Sequence, residues 1–248
     1  MMDRWKLVFE YDGIEFSGWQ KQPDARTVEE EIETAFTTLF QQDIDIIGQG
    51  RTDAGVHAKG QVAHADLPSL YTSNRIIHAM RGLLPKDVTL LRADKTEPDF
   101  HARFSAAQRS YSYHVIGRLS PLLRSRAWCY GYSLDEDLLH NMAANVKQNT
   151  EFMNFCIPDP DQKLTTECTV SQSSWHVTED NLLIYTISAN RFLRHMVRRL
   201  VGSMMQVAAG RQSPEWFQRL LGGNEVNQKG HSAPAHGLYL ESVTYKTD

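Results

Sequence analysis

Hydrophobic periodicity switches between two and 3.6 residues in the same order twice along this chain, and that recurrence constrains the fold more than any other feature. Trp5, Leu7, Phe9 and Tyr11 alternate against Lys6, Val8 and Glu10, the signature of a strand. Thr27 then opens a helix with Glu30 at the capping-box position and a stripe of Val28, Ile32, Ala35, Phe36, Leu39 and Phe40. Ile44 to Ile47 and Gln61 to Ala65 read as strands. Ser73 caps a helix through Ile76, Ile77, Met80 and Leu84 that Pro85 stops, and Val88 to Ala93 is a further strand. The order is βαββαβ.

The second half repeats it. Tyr111 to Ile116 is a strand, Leu134 to Val146 a helix, and Val170–Val177 with Leu182–Ser188 a hairpin around Glu179-Asp180-Asn181. A long helix from Asn190 to Ala209, a short one from Ser213 to Leu221 and a strand from Leu238 to Tyr245 follow. The expected fold is α+β: two tandem ferredoxin-like halves, each an antiparallel sheet with helices on one face. The boundary is expected between residues 104 and 105. Segments 157–166 and 224–234 are polar and read as surface loops, the second of them mobile.

A chain of 248 residues with 41% hydrophobic content can build its core without disulfide or metal staples. Cys129, Cys156 and Cys168 lack zinc or redox spacing, and no signal peptide or membrane-length apolar run is seen, so a cytoplasmic protein is expected. The net charge of -4 hides a strong asymmetry. Phe100 to Leu134 contains no acid but holds Arg103, Arg109, Arg118, Arg124 and Arg126; Asn190 to Pro214 contains none but holds Arg191, Arg194, Arg198, Arg199 and Arg211. Positive charge concentrated in this way suits a polyanion, although a solvated basic face has the same pattern.

The run Gly50-Arg51-Thr52-Asp53-Ala54-Gly55-Val56-His57-Ala58 places one carboxylate in a glycine-bracketed loop, with Gly55 suited to a turn with positive φ. Such a loop presents Asp53 to a cleft, or merely bonds the carboxylate to its own turn. On the helix expected from Asn190, Leu193, Met196, Val197, Leu200, Val201 and Met204 form an apolar stripe. Arg191, Arg194, His195 and Arg198 fall on one polar face, where mutual repulsion calls for a carboxylate or a phosphate chain. Arg109, Tyr111 and Tyr113 share a strand face, a cation with two rings that suit base stacking, although Tyr113 fits a core position better. His57, His64 and Asp53 lack metal spacing, Gly48-x-Gly50 lacks the lysine of a phosphate loop, and no nucleophile elbow is present. One loop aspartate, arginines and stacking aromatics remain, a set suited to chemistry on a nucleotide.

At these residues the chain resembles the TruA-type tRNA pseudouridine synthases. Five ordered blocks carry the resemblance: Tyr11-Asp12-Gly13 with Phe16-Ser17-Gly18-Trp19-Gln20; the Asp53 loop with Gly60-Gln61-Val62; Phe100-His101-Ala102-Arg103-Phe104-Ser105-Ala106 leading to Arg109-x-Tyr111-x-Tyr113; Phe192-Leu193-x-His195-Met196-Val197-Arg198 with Val201-Gly202; and Ala233-Pro234-Ala235-x-Gly237-Leu238. The resemblance implies a pseudouridine synthase fold with its cleft between the halves. It implies isomerisation of uridine to pseudouridine at positions 38, 39 and 40 of the tRNA anticodon stem-loop by a homodimer, with no cofactor and no metal. By the same resemblance Asp53 is the nucleophile, Tyr111 stacks on the target base, Arg198 pairs with the aspartate and Arg51 assists base flipping. Glu167-Cys168 stands where the family often has an arginine, Glu29 where a glutamine is common, and Asp159 and Asp161 make the preceding loop acidic. A non-catalytic tRNA-binding module and a synthase for other uridines are the alternatives.

Overall fold

The computed structural model describes residues 1–157, 166–223 and 229–246. Segment 158–165, with Asp159 and Asp161, and residues 224–228 lie outside them. The fold is mixed α+β, with five α-helices among the described residues. By its own contacts the chain divides into two compact units, one of residues 1–107 with the C-terminal segment from Tyr239, the other Gln108–Leu238.

In the first unit, β1 (Met2–Tyr11) lies between β3 (His57–Pro68) and β4 (Val88–Lys95), antiparallel to both. The short β2 (Ile47–Gly48) pairs antiparallel with β3, and β9 (Leu238–Tyr245) pairs parallel to it through His57↔Tyr239 and Ala58↔Leu240. Trp5, Leu7 and Phe9 are fully buried, as the alternation of β1 requires. The strand expected from Ile44 to Ile47 is pared back: Ile44 and Ile46 are buried, but ladder pairing begins only at Ile47, and the Ile46 amide donates instead to the Glu33 carboxylate.

Helix α1 (Val28–Phe40) starts where the capping signal places it: Thr27 is the N-cap, and its side chain accepts from the Glu30 amide. Such a cap contributes about 1 kcal/mol. Helix α2 (Ser73–Leu83) begins one residue after Thr72, which occupies the cap position without a side-chain bond, and packs on β4 and α1.

In the second unit, β5 (Ala106–Ile116) pairs antiparallel with β8 (Leu182–Ala189), and β8 with β7 (Val170–Val177). The expected hairpin is present, with Asn181 left-handed at φ 56. A two-residue β6 (Trp128–Cys129), too short to show periodicity, runs parallel to the end of β5. Helix α3 (Glu136–Gln148) is capped by Asp135, and α5 (Pro214–Leu221) by Ser213 with Pro214 in the first turn, which fits a residue lacking an N–H.

Helix α4 corrects the sequence reading. It spans Met196–Ala208, and His195 caps it in a left-handed conformation at φ 65. Residues 190–194 are not helical because their backbone groups serve tertiary partners. The Asn190 amide donates to the Thr169 carbonyl, the Asn190 side chain accepts from the Thr169 amide, and the Arg194 carbonyl accepts from Ile157. Arg191 and Arg194 therefore do not share a helical face with Arg198.

Segment 229–234 is likewise not a loose loop. Gly230 donates to the Asn154 carbonyl, His231 to Ser203 Oγ, and Ala233 to the Arg198 carbonyl. Gly202 lets this strap lie on α4: a Cβ there would sit 2.2 Å from the His231 carbonyl oxygen.

Candidate active site

The Asp53 loop is pinned at both ends. Gln61 Nε2 donates to the Gly50 carbonyl, and the Tyr11 and Thr52 hydroxyls bond at 2.8 Å. The Thr52 carbonyl accepts from the Trp19 amide, Gly55 donates to the Phe16 carbonyl, and Val56 donates back to the Asp53 carbonyl, closing the turn. Gly55 has φ 78, as its position in the sequence predicts. Thr52, Val56 and His57 are buried, Asp53 is half-buried and Arg51 exposed.

Segment 13–19 is the clamp, and here the glycines are required by close approach. A Cβ on Gly13 would lie 1.9 Å from the Val56 carbonyl oxygen, and one on Gly18 (φ 102) 2.7 Å from that of Thr52. The far side of the clamp is tied to the start of α1: Ser17 donates to Arg26, Val28 to Gly18 and Glu29 to Trp19. Glu29 accepts from Trp19 Nε1 and the Lys21 amide, and burial raises its carboxyl above the usual range. Arg26 packs over the Phe16 ring and pairs with Glu31 and Asp87. Asp53 is thus held by backbone seated on the strand and helix of one unit.

Both histidines near the loop have structural partners. His57 is 2% exposed and stacks on Tyr239 with centroids 4.7 Å apart. Its Nδ1 lies 3.2 Å from the Gly13 amide and 3.0 Å from Asp12 Oδ1. The amide is always a donor, so Nδ1 accepts from Gly13 when it carries no proton, and a bond to Asp12 needs the proton on Nδ1 instead. His64 Nδ1 accepts from the Ala102 amide. Burial pushes its pKa down to about 4, assisted by the charges of Arg4 and His101. Among the described residues no group of three or more His, Cys, Asp or Glu is placed to hold a metal ion.

Tyr111 and Arg198 both lie in the second unit, on β5 and α4. Half-buried Tyr111 meets Phe192 edge-to-face, centroids 5.0 Å apart. Two residues along β5, Tyr113 is fully buried and donates its hydroxyl to the Pro234 carbonyl. Burial drives its pKa far up, against the opposing charge of Arg198. Arg198 Nε donates to the Ala233 carbonyl, and the Ala233 amide donates to the Arg198 carbonyl. The turn at Ala233-Pro234 thus ties strand β5 to helix α4, with Gly237 packed against the Tyr113 ring where a Cβ would lie 2.7 Å away. Arg109 donates to the Asn190 carbonyl and Arg199 to that of Cys156, so backbone oxygens meet part of the positive charge that the sequence concentrates here.

Arg51 and Asp53 thus share one loop, while the turn at Ala233-Pro234 holds Arg198 and Tyr113, two residues along β5 from Tyr111. Asp12, Gly13, Gly18 and Gln61 on one side, and Gly202 and Ala233 on the other, are the supports to which sequence reasoning gave no role. Their only signal is the glycines inside the recognised blocks, because no periodicity reveals which distant backbone will press against them.

Residues 7–105 and 149–246 match the family described as tRNA pseudouridine synthase. The chain is also similar to proteins named tRNA pseudouridine synthase A. That of Porphyromonas gingivalis is 35% identical over 250 residues, covering 100% of this chain and 99% of the relative. Those of Xanthobacter autotrophicus (39% identical) and Dictyoglomus thermophilum (38%) each align over 98% of this chain and 100% of their own. With the carboxylate loop, Arg198 and the turn at Ala233-Pro234 all inside the matched segments, the chain belongs to the tRNA pseudouridine synthase family.

Proposed function

We propose that this protein isomerises uridine to pseudouridine in the anticodon stem-loop of tRNA, at positions 38, 39 and 40. The observation that carries the reading is the Asp53 loop: a half-buried carboxylate held by fixed backbone within a family that modifies tRNA. Asp53 acts as nucleophile on the target nucleoside: the N1–C1′ bond breaks, the freed uracil rotates, C5 bonds to C1′ as Asp53 departs, and the C5 proton is lost to water while N1 takes one up. Tyr111 stacks on the base. Arg198 is the cationic partner of the aspartate in this reading, and Arg51 fills the space that the flipped base leaves, repaying part of an unstacking cost of about a few kcal/mol.

The strand order of the first unit, β4-β1-β3 with β2 outside β3, supports reading that unit as a ferredoxin-like half, and we read the second half in the same way from its element order. The halves on this reading are residues 1–104 and 105–248. We also assign the protein to the cytoplasm as a homodimer acting without cofactor or metal. Three free cysteines support a reducing compartment, and no helix among the described residues is long and apolar enough to cross a membrane. Mapping pseudouridine chemically on unmodified tRNA transcripts after incubation with the protein tests the assignment. Modification confined to positions 38–40 supports it, and modification only elsewhere sinks it.

A further inference from the structure

Phe104 is 77% exposed although it is flanked by structure rather than by a loose loop. Single exposed apolar side chains are common on proteins, so exposure alone says little. The turn that carries this one is unusually well fixed. Ser105 donates its amide to the His101 carbonyl, and Ser105 Oγ accepts from the His101 amide. His101 Nδ1 accepts from the amides of Arg103 and Phe104 at 3.2 and 3.4 Å, and burial with the nearby Arg4 charge lowers the pKa of that ring. Between them Ala102 is fully buried, its amide held by His64 and its carbonyl by the Tyr245 hydroxyl. The Phe104 ring projects from this turn with the His101 ring 4.4 Å to one side and the Arg103 guanidinium 5.7 Å from its centroid.

A rigid turn presenting a bare phenyl ring, with a cation beside it, is the arrangement by which proteins hold unpaired bases: the ring stacks on the base face, and the cation meets the neighbouring phosphate. Charge favours RNA here, since the chain from Phe100 to Leu134 contains five arginines and no acid. We propose that Phe104, with Arg103 beside it, is a stacking platform for one unpaired base of the tRNA, separate from the base held for reaction by Tyr111. The platform rests on the reading of tRNA as substrate. It adds binding energy from a nucleotide that is not itself modified, and so acts on affinity more than on turnover.

The test is equilibrium binding of a labelled tRNA transcript to the native chain, Phe104→Ala and Phe104→Trp across a salt series. A second arm crosslinks the same transcript substituted with 5-iodouridine. Loss of one stacked base should weaken binding by about 5- to 150-fold in Phe104→Ala, with the slope of log Kd against log salt unchanged because no ionic contact is lost. Phe104→Trp should bind within threefold of native, light should crosslink Phe104 to a single nucleotide, and thermal stability should stay level. Native affinity in Phe104→Ala with no crosslink overturns the proposal. So does a drop in oligomeric mass at unchanged affinity per subunit, which would place a second copy of the chain over the ring. Pseudouridine formation by the native chain separates the two failures. If it forms while Phe104→Ala binds normally, only the platform is wrong; if none forms, the substrate reading itself fails.

Discussion

Replacing Gly202 by alanine should do two opposed things, and the structure says which wins. Within a helix, alanine is favoured over glycine by about 1 kcal/mol. At position 202 the added Cβ would lie 2.2 Å from the His231 carbonyl oxygen and 2.8 Å from the Ala233 amide nitrogen, both backbone atoms that cannot rotate away. Ordinary contact requires about 3.5 Å, so the strap over α4 must lift by roughly an ångström. That movement stretches three hydrogen bonds: His231 to Ser203 Oγ, the Ala233 amide to the Arg198 carbonyl, and Arg198 Nε to the Ala233 carbonyl. At about 1 kcal/mol each, their loss outweighs the helix gain by about 2 kcal/mol, a fall in Tm of about 4–8 °C. Gly82, in α2, is the control: nothing lies within 4 Å of its Cβ position, so Gly82→Ala should raise stability by up to about 1 kcal/mol. Differential scanning calorimetry on both variants, with turnover measured on tRNA, decides the matter. Since the lifted strap also releases Arg198, Gly202→Ala should lose turnover even at temperatures where it remains folded. Equal or raised Tm with native turnover would refute the steric argument.

Gly13→Ala puts a Cβ 1.9 Å from the Val56 carbonyl and displaces the Asp53 turn; turnover should fall about 100-fold or more, and native turnover would contradict the clamp. Arg198→Lys keeps the charge but loses the planar fork bonded to Ala233; kcat should fall about 10- to 100-fold with tRNA affinity within threefold, and an equal loss of affinity would mark Arg198 as a binding residue instead. His64 is held at a folded pKa of about 4, below its unfolded value near 6.5, so the fold favours the neutral ring. Its contribution is complete above pH 6.5 and is lost as pH falls through about 4. It amounts to at most about 3 kcal/mol, reduced to the extent that water screens the ring. Denaturant titrations at pH 7.5 and pH 4 should show native stability falling by more than that of His64→Gln; parallel losses would rule out His64 as the titrating group.

The sequence was most legible where local signals and burial agree. The alternation of Trp5, Leu7, Phe9 and Tyr11, the Thr27 cap and the hairpin at Asn181 all appear where periodicity and turn chemistry put them. It was least legible where the backbone's partners are distant. The apolar spacing of Leu193, Met196 and Val197 extends a helical pattern back to Asn190, but pairing of 190–194 with Thr169 and Ile157 overrides it. The parallel seating of β9 on β3 depends on residues nearly two hundred positions apart, and nothing in either strand records it. Segment 229–234 looked mobile because its composition is polar, yet its own backbone groups bind α4 and Asn154. At the site, the chemical groups could be read from the recognised blocks, and the roles of Asp53, Arg51, Tyr111 and Arg198 are proposals that variants such as Arg198→Lys and Asp53→Asn test. Their supports could not be read, because a glycine such as Gly13 or Gly202 shows its purpose only through the atom that would strike it.

Tritium release from tRNA labelled at uridine C5, compared for the native chain and Asp53→Asn with tRNA affinity measured in parallel, tests the central claim most directly. The account predicts release by the native chain, release at least about 1,000-fold slower for Asp53→Asn, and tRNA affinities within a fewfold of each other. Equal release by both would remove Asp53 from the chemistry, and tight tRNA binding with no release by the native chain would make this a binding module rather than a synthase.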